Sequence, residues 1–104
     1  MLFFWRKNKG IDSFAIEVAD ELYSQIPPDM FEDLSSRKAS KIAKRWEKEI
    51  QATIIRFRDF KAGNELGVYG KARLHLTFME RLRSHGYSED VIKELNDFLL
   101  VKTP

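Results

Sequence analysis

A chain of 104 residues, 43% of them hydrophobic, forms one domain with enough apolar surface for a single core. It holds no cysteine, which excludes disulfides and thiolate metal sites and fits a reducing, cytoplasmic setting. The net charge of +2 hides a segregation of sign. Residues 1–10 carry three basic groups and no acid, and residues 11–33 carry seven acids and no lysine or arginine. Residues 34–61 carry nine bases against three acids, and residues 62–104 carry six of each.

Met1 to Trp5 are apolar, and Arg6, Lys7 and Lys9 follow at once. That order is the reverse of a secretory signal, and no run approaches the roughly 20 apolar residues of a transmembrane segment. Residues 1–10 therefore read as an N-terminal arm. Phe3, Phe4 and Trp5, backed by those cations, are candidates for contact with an anionic membrane surface or a partner. The plainer expectation is that the arm folds back on the core or on a second subunit.

Over 11–26, Phe14, Ala15, Val18, Ala19, Leu22 and Ile26 recur at the spacing of one helical face, with Glu17, Asp20 and Glu21 opposite. Asp12 or Ser13 is placed to cap this helix. Pro27 ends it by driving Ile26 out of the helical region. Residues 29–35 form a connector with a short turn around Met30, Phe31 and Leu34.

Ser35 or Ser36 caps a long helix over about 36–62. Ala39, Ile42, Ala43, Trp46, Ile50, Thr53, Ile54, Phe57 and Phe60 stripe it, and Gly63-Asn64 stops it, both residues tolerating a left-handed backbone.

The third helix begins between Leu66 and Lys71 and runs to about His85, with Ala72, Leu76, Met79 and Leu82 as its stripe and Leu74 and Phe78 widening it. Gly86 closes it. Ser88 caps a fourth helix, with Glu89 and Asp90 in its first turn and Val91, Ile92, Leu95, Phe98 and Leu99 facing inward. Residues 11–101 make the helical domain, and 102–104 are expected to fray.

No segment alternates as a half-buried strand does. The expected fold is all-α: a four-helix bundle or orthogonal helical array with one long central helix. That helix spans about 40 Å, against a diameter of roughly 34 Å for a globule of this size. It must overhang, bend or pair with a second copy, so a homodimer through its apolar stripe is expected.

Arg37, Lys41, Lys44, Arg45 and Lys48 share the face of the central helix opposite Ile42, Trp46 and Ile50. A basic helical face is the footprint of phosphate recognition or of an acidic partner. The plainer expectation is mutual neutralisation by the acids of the first helix across the bundle. A helix-turn-helix over 78–97 is disfavoured because Glu89, Asp90, Glu94 and Asp97 face a phosphate surface with only Lys93 to offset them. A phosphate-binding loop at 63–72 fails because Glu65 stands where glycine is required and Ala72 where a hydroxyl is required.

The glycines at 63, 67 and 70 mark either a loop or a close approach of another helix. Tyr69 among them is the preferred contact residue for a partner, against the plainer role of a core tyrosine. His75 and His85 cannot share one metal at this spacing and have surface or capping roles.

No catalytic residue, cofactor or metal site is expected. The sequence points to a non-catalytic helical interaction or regulatory module that binds a protein partner. Nucleic acid on the basic face and membrane association through the N-terminus are the alternatives.

Overall fold

The computed structural model describes the backbone of residues 2–31 and 36–104 and the side chains of residues 10–31 and 39–104. Helix α1 spans Leu2–Gln25, a short 3-10 turn spans Pro28–Phe31, and α2, α3 and α4 span Ser36–Gly63, Gly67–Ser84 and Glu89–Lys102. No strand occurs among the described residues. The fold is the expected all-α array of four helices with a long α2. No helix among the described residues is long and apolar enough to cross a membrane.

The helical period of the sequence is realised most closely in α1. Ile11, Ala15, Val18, Ala19, Leu22 and Ile26 are buried, and the helix ends where Pro27 requires. Its start differs from expectation. The helix already includes residues 2–10, so they are no separate arm. Gly10 is the poorest helix former there, and its cost of about 1 kcal/mol does not stop a helix whose later turns are anchored in the core. Asp12 and Ser13 are consequently interior residues, and the Asp12 carboxylate bonds across to α3 instead of capping.

The pair α1 and α3 is the most extensively packed. Gly70 makes that approach possible. A Cβ there would lie 2.9 Å from the Leu66 Cβ and 3.4 Å from the Ile11 Cδ1. This decides which face of α3 is inside. Gly70, Leu74, His75, Phe78 and Leu82 are buried, whereas Leu76 is 53% exposed and Ala72 is exposed. The stripe expected through Ala72 and Leu76 is thus rotated, because the row that carries Gly70 can come closest to α1. In α4, Ile92, Leu95 and Leu99 are buried as expected, but Phe98 is exposed.

Turn chemistry matches the sequence at Gly86 and Ser88. Gly86 takes φ +97° after α3, and the Ser88 hydroxyl accepts a hydrogen bond from the Val91 N–H at 3.3 Å. The end of α2 works differently from expectation. Among the described residues the left-handed positions are Gly67 and Gly86, so neither Gly63 nor Asn64 is one. Asn64 Nδ2 instead donates to the Phe60 carbonyl at 2.8 Å, satisfying one of the acceptors a helix end leaves open. The expected fraying of 102–104 is also corrected. Thr103 is buried, its N–H donates to the Leu99 carbonyl at 2.9 Å, and its hydroxyl donates to the same oxygen at 2.6 Å.

Helix α2 is buried at Ile50, Thr53, Ile54 and Phe57. Upstream of Ile50, Ile42 and Trp46 are half-buried, and Trp46 meets Phe31 edge-on at 5.1 Å. The molecule is elongated, 52 × 24 × 19 Å, which accommodates the length of α2. Phe57 sits at the aromatic centre, 5.0 Å from the ring of Phe78 and 5.8 Å from that of Phe14. Tyr87 is buried at the far side, and its hydroxyl donates to the Ile26 carbonyl at 2.5 Å.

Candidate functional site

Among the described residues the acids of α1 are satisfied by bases other than Lys41, Lys44, Arg45 and Lys48. Asp12 accepts from Arg73 Nε at 2.9 Å and Nη2 at 2.8 Å, and from the Thr77 hydroxyl at 3.2 Å. Asp20 accepts from Arg81 Nε at 2.8 Å and pairs with His85 Nε2 at 2.6 Å. Glu21 and Glu17 both meet Arg56, the latter at 3.4 Å. All four of these carboxylates thus find partners in sequence-distant helix α3 or at the middle of α2. Arg73 holds the Asp12 carboxyl below the usual range, and Arg81 with His85 does the same for Asp20.

This leaves a basic ridge on α2. Lys41, Lys44, Arg45 and Lys48 are all exposed. Arg45 Nη2 reaches the Gln25 amide oxygen at 3.5 Å. None of the four pairs with a carboxylate among the described residues. The neutralisation expected from α1 is therefore corrected for these residues, because α1 turns its acids toward α3 and Arg56. The side chain of Arg37 lies outside the described residues, as do those of Phe3, Phe4 and Trp5.

Tyr69 is 57% exposed, so it is not a core tyrosine. Its hydroxyl accepts from Arg73 Nη1 at 3.3 Å. It stands in the first turn of α3, at the opposite end of α2 from residues 41–48. The structure does not bring it together with the ridge.

A second cationic site escaped the sequence analysis. Where the last turns of α2 and α4 meet α3, the Lys61 ammonium donates to the Thr103 carbonyl at 2.5 Å and to the Thr103 hydroxyl at 2.9 Å. It also lies 2.8 Å from His75 Nε2. His75 Nδ1 lies 2.8 Å from Asn96 Oδ1. The amide oxygen can only accept, which places the ring proton on Nδ1 and leaves the Nε2 lone pair for the ammonium.

His75 is buried, not at the surface as expected, and burial holds its pKa down. Desolvation, with Lys71 adding to it, lowers the Lys61 pKa to about 8. A signal was available in the sequence. Lys61 falls one turn after Phe57 on the apolar side of α2, and His75 falls three residues before Phe78. Two polar residues interrupt apolar rows, and these rows converge. His85 is as expected, closing the end of α3 and stacking on Tyr23 at 4.2 Å.

Among the described residues no group of three or more histidines and carboxylates is placed to hold a metal ion. The chain matches no protein-family model, no curated protein and no solved structure.

Proposed function

We propose that this protein is a non-catalytic helical interaction module that takes an acidic segment of a protein partner along the α2 ridge of Lys41, Lys44, Arg45 and Lys48. The observation that carries this reading is the contrast in pairing. Arg56, Arg73, Arg81, Arg83 and His85 each hold a carboxylate, whereas the four ridge cations hold none among the described residues.

A protein partner suits the ridge better than a nucleic acid does. Lys41 to Lys48 covers about 10 Å of helix, well short of the roughly 34 Å turn of a duplex. Glu47 and Glu49 flank it, and exposed Ile55 continues the same face, a mixture of charge and apolar surface that matches a peptide. The cytoplasm is the setting this reading implies, and the lack of cysteine supports it.

Fluorescence anisotropy with an acidic amphipathic peptide and with a short DNA duplex tests the proposal. The peptide is expected to bind in a salt-sensitive manner. Reversing the ridge charges (K41E, K44E, R45E, K48E) is expected to weaken it at least about tenfold, since charge-assisted contacts contribute about 1.5–3 kcal/mol each. Tighter binding of the duplex, lost in the same variant, transfers the ridge to nucleic acid. Binding of neither probe removes its role.

A homodimer belongs to the same proposal. It is supported by half-buried Ile42 and Trp46 on the apolar stripe of α2. Light scattering of the full chain at micromolar concentration is expected to give twice the single-chain mass, and the single-chain mass would overturn it.

A further inference from the structure

The geometry points to a second binding site, for a small dianionic oxyanion of the phosphate or sulfate type, in the pocket walled by Arg58, Lys61, Lys71 and Lys102. This site is separate from the α2 ridge and does not rest on the reading proposed for it.

Two adjoining cavities of about 260 and 320 Å³ share Lys61, Lys71, Thr103 and Pro104. Arg58 and Lys102 complete the wall of the larger one. Four cations from three helices thus line one space, and no Asp or Glu side chain lines it among the described residues. None of the four is in an ion pair with a described residue. Burial lowers the Lys61 pKa, and the neighbouring Lys71 charge adds to that lowering.

Helix dipoles explain only part of this. Lys61 and Lys102 lie in last turns, where a cation suits the negative helix end. Lys71 lies just past the first turn of α3, where the dipole offers it nothing.

The chemistry of the pocket defines its ligand. The Lys61 hydrogens are already directed at Thr103 and His75, so this ammonium supplies charge from the floor. The exposed side chains of Lys71, Lys102 and Arg58, which line the cavity, are left to donate to an anion. A dianion with several acceptor oxygens matches three lining cations better than a single carboxylate does. Ala72 and Leu100 in the smaller cavity provide an apolar wall beside the charged one, which suits a phosphate carried on a small organic body as well as the free ion.

NMR titration of the ¹⁵N-labelled full chain tests this. Sodium sulfate, inorganic phosphate and phenyl phosphate are compared with sodium chloride at matched ionic strength. Saturable shifts of the Lys71, Ala72 and Thr103 amides are expected with the dianions and not with chloride. Shifts no larger than those of chloride overturn the site. Tighter binding of phenyl phosphate than of inorganic phosphate assigns the oxyanion to an organic carrier, and equal binding assigns it to the free ion.

Lys71→Glu is expected to weaken sulfate binding about tenfold or more, while Lys44→Glu on the ridge leaves it unchanged. Equal loss in both would mean general charge attraction and overturn the pocket. Sulfate keeps its charge as pH rises, so its binding is expected to weaken above about pH 8 as Lys61 loses its proton. Among the described residues, the charged and titratable side chains that line these cavities with Lys61 are Arg58 of its own helix, Lys71 and His75 of α3 and Lys102 of α4. The weakening is expected to disappear in Lys61→Met. A wild-type profile as flat as that of the variant removes Lys61 from the site.

Discussion

Phe57→Ala is expected to cost about 3–5 kcal/mol of folding free energy and to lower the Tm by at least about 12 °C. The ring is fully buried, 5.0 Å from Phe78 and 5.5 Å from His75, and Phe14 approaches from α1 at 5.8 Å. Removing it opens a cavity that three helices border, and no single side chain can relax to fill it. Against a total stability of about 5–15 kcal/mol for a domain of this size, the loss is a large fraction.

Phe98→Ala is the matched control. Phe98 removes the same atoms from a position that is 42% exposed, and its cost is expected to stay below about 1 kcal/mol. Urea melts of the two variants make the comparison. Equal losses would contradict the placement of Phe57 at the centre of the core and of Phe98 at its edge.

Folding stability is expected to depend on pH at both ends of the scale. Asp12 and Asp20 have folded pKa values below the unfolded value of 3.8. They contribute stability that is present above about pH 4 and lost as the pH falls through their folded values. On the alkaline side Lys61 acts in the opposite sense from an ion-paired lysine. Its folded pKa of about 8 lies below the unfolded 10.5, so between these values the unfolded chain binds more protons. Stability therefore rises with pH from about 8 toward 10. Partial solvation of the ammonium keeps the gain to about 1–2 kcal/mol.

Tyr87 then reverses the trend. Burial raises its folded pKa above the unfolded 10.0. Its neutral hydroxyl, donating to Ile26, loses stability once the unfolded phenol begins to ionise. A maximum near pH 10 is expected in chemical denaturation across the range. Lys61→Met removes the rise and Tyr87→Phe removes the fall. A wild-type profile flat from pH 7 to 11 would contradict the burial of both groups.

The helical elements were legible because their signals are local. Pro27 ends α1, Gly86 supplies the left-handed turn after α3, and the Ser88 hydroxyl meets a backbone N–H three residues on. Each of these effects acts within about one turn of chain, as does the 3.6-residue period that marked the core of α1. The extension of α1 to Leu2 was missed because Gly10 and the change of charge after it resemble a boundary. The backbone continues through them because one glycine is a small cost beside a packed helix.

Pairing between helices was not legible, because composition and period do not say which helix lies beside which. Asp12 and Arg73, or Asp20 and Arg81, are 61 residues apart. The seven acids of 11–33 therefore looked matched to the bases that follow them in the chain. The contact at Gly70 brings α1 against α3, and that proximity draws the carboxylates to Arg73 and Arg81 and leaves Lys41, Lys44, Arg45 and Lys48 without a carboxylate among the described residues. The same packing chose the Leu74–Phe78–Leu82 row over the row through Leu76. It also carried Lys61 and Thr103, 42 residues apart, into hydrogen-bond contact. By itself the sequence determined where helices run and where they stop, through short-range sterics and hydrogen bonding. Only tertiary structure decided which charges are neutralised and which stay exposed, because Coulomb and hydrogen-bond energies depend on distances that close packing alone establishes.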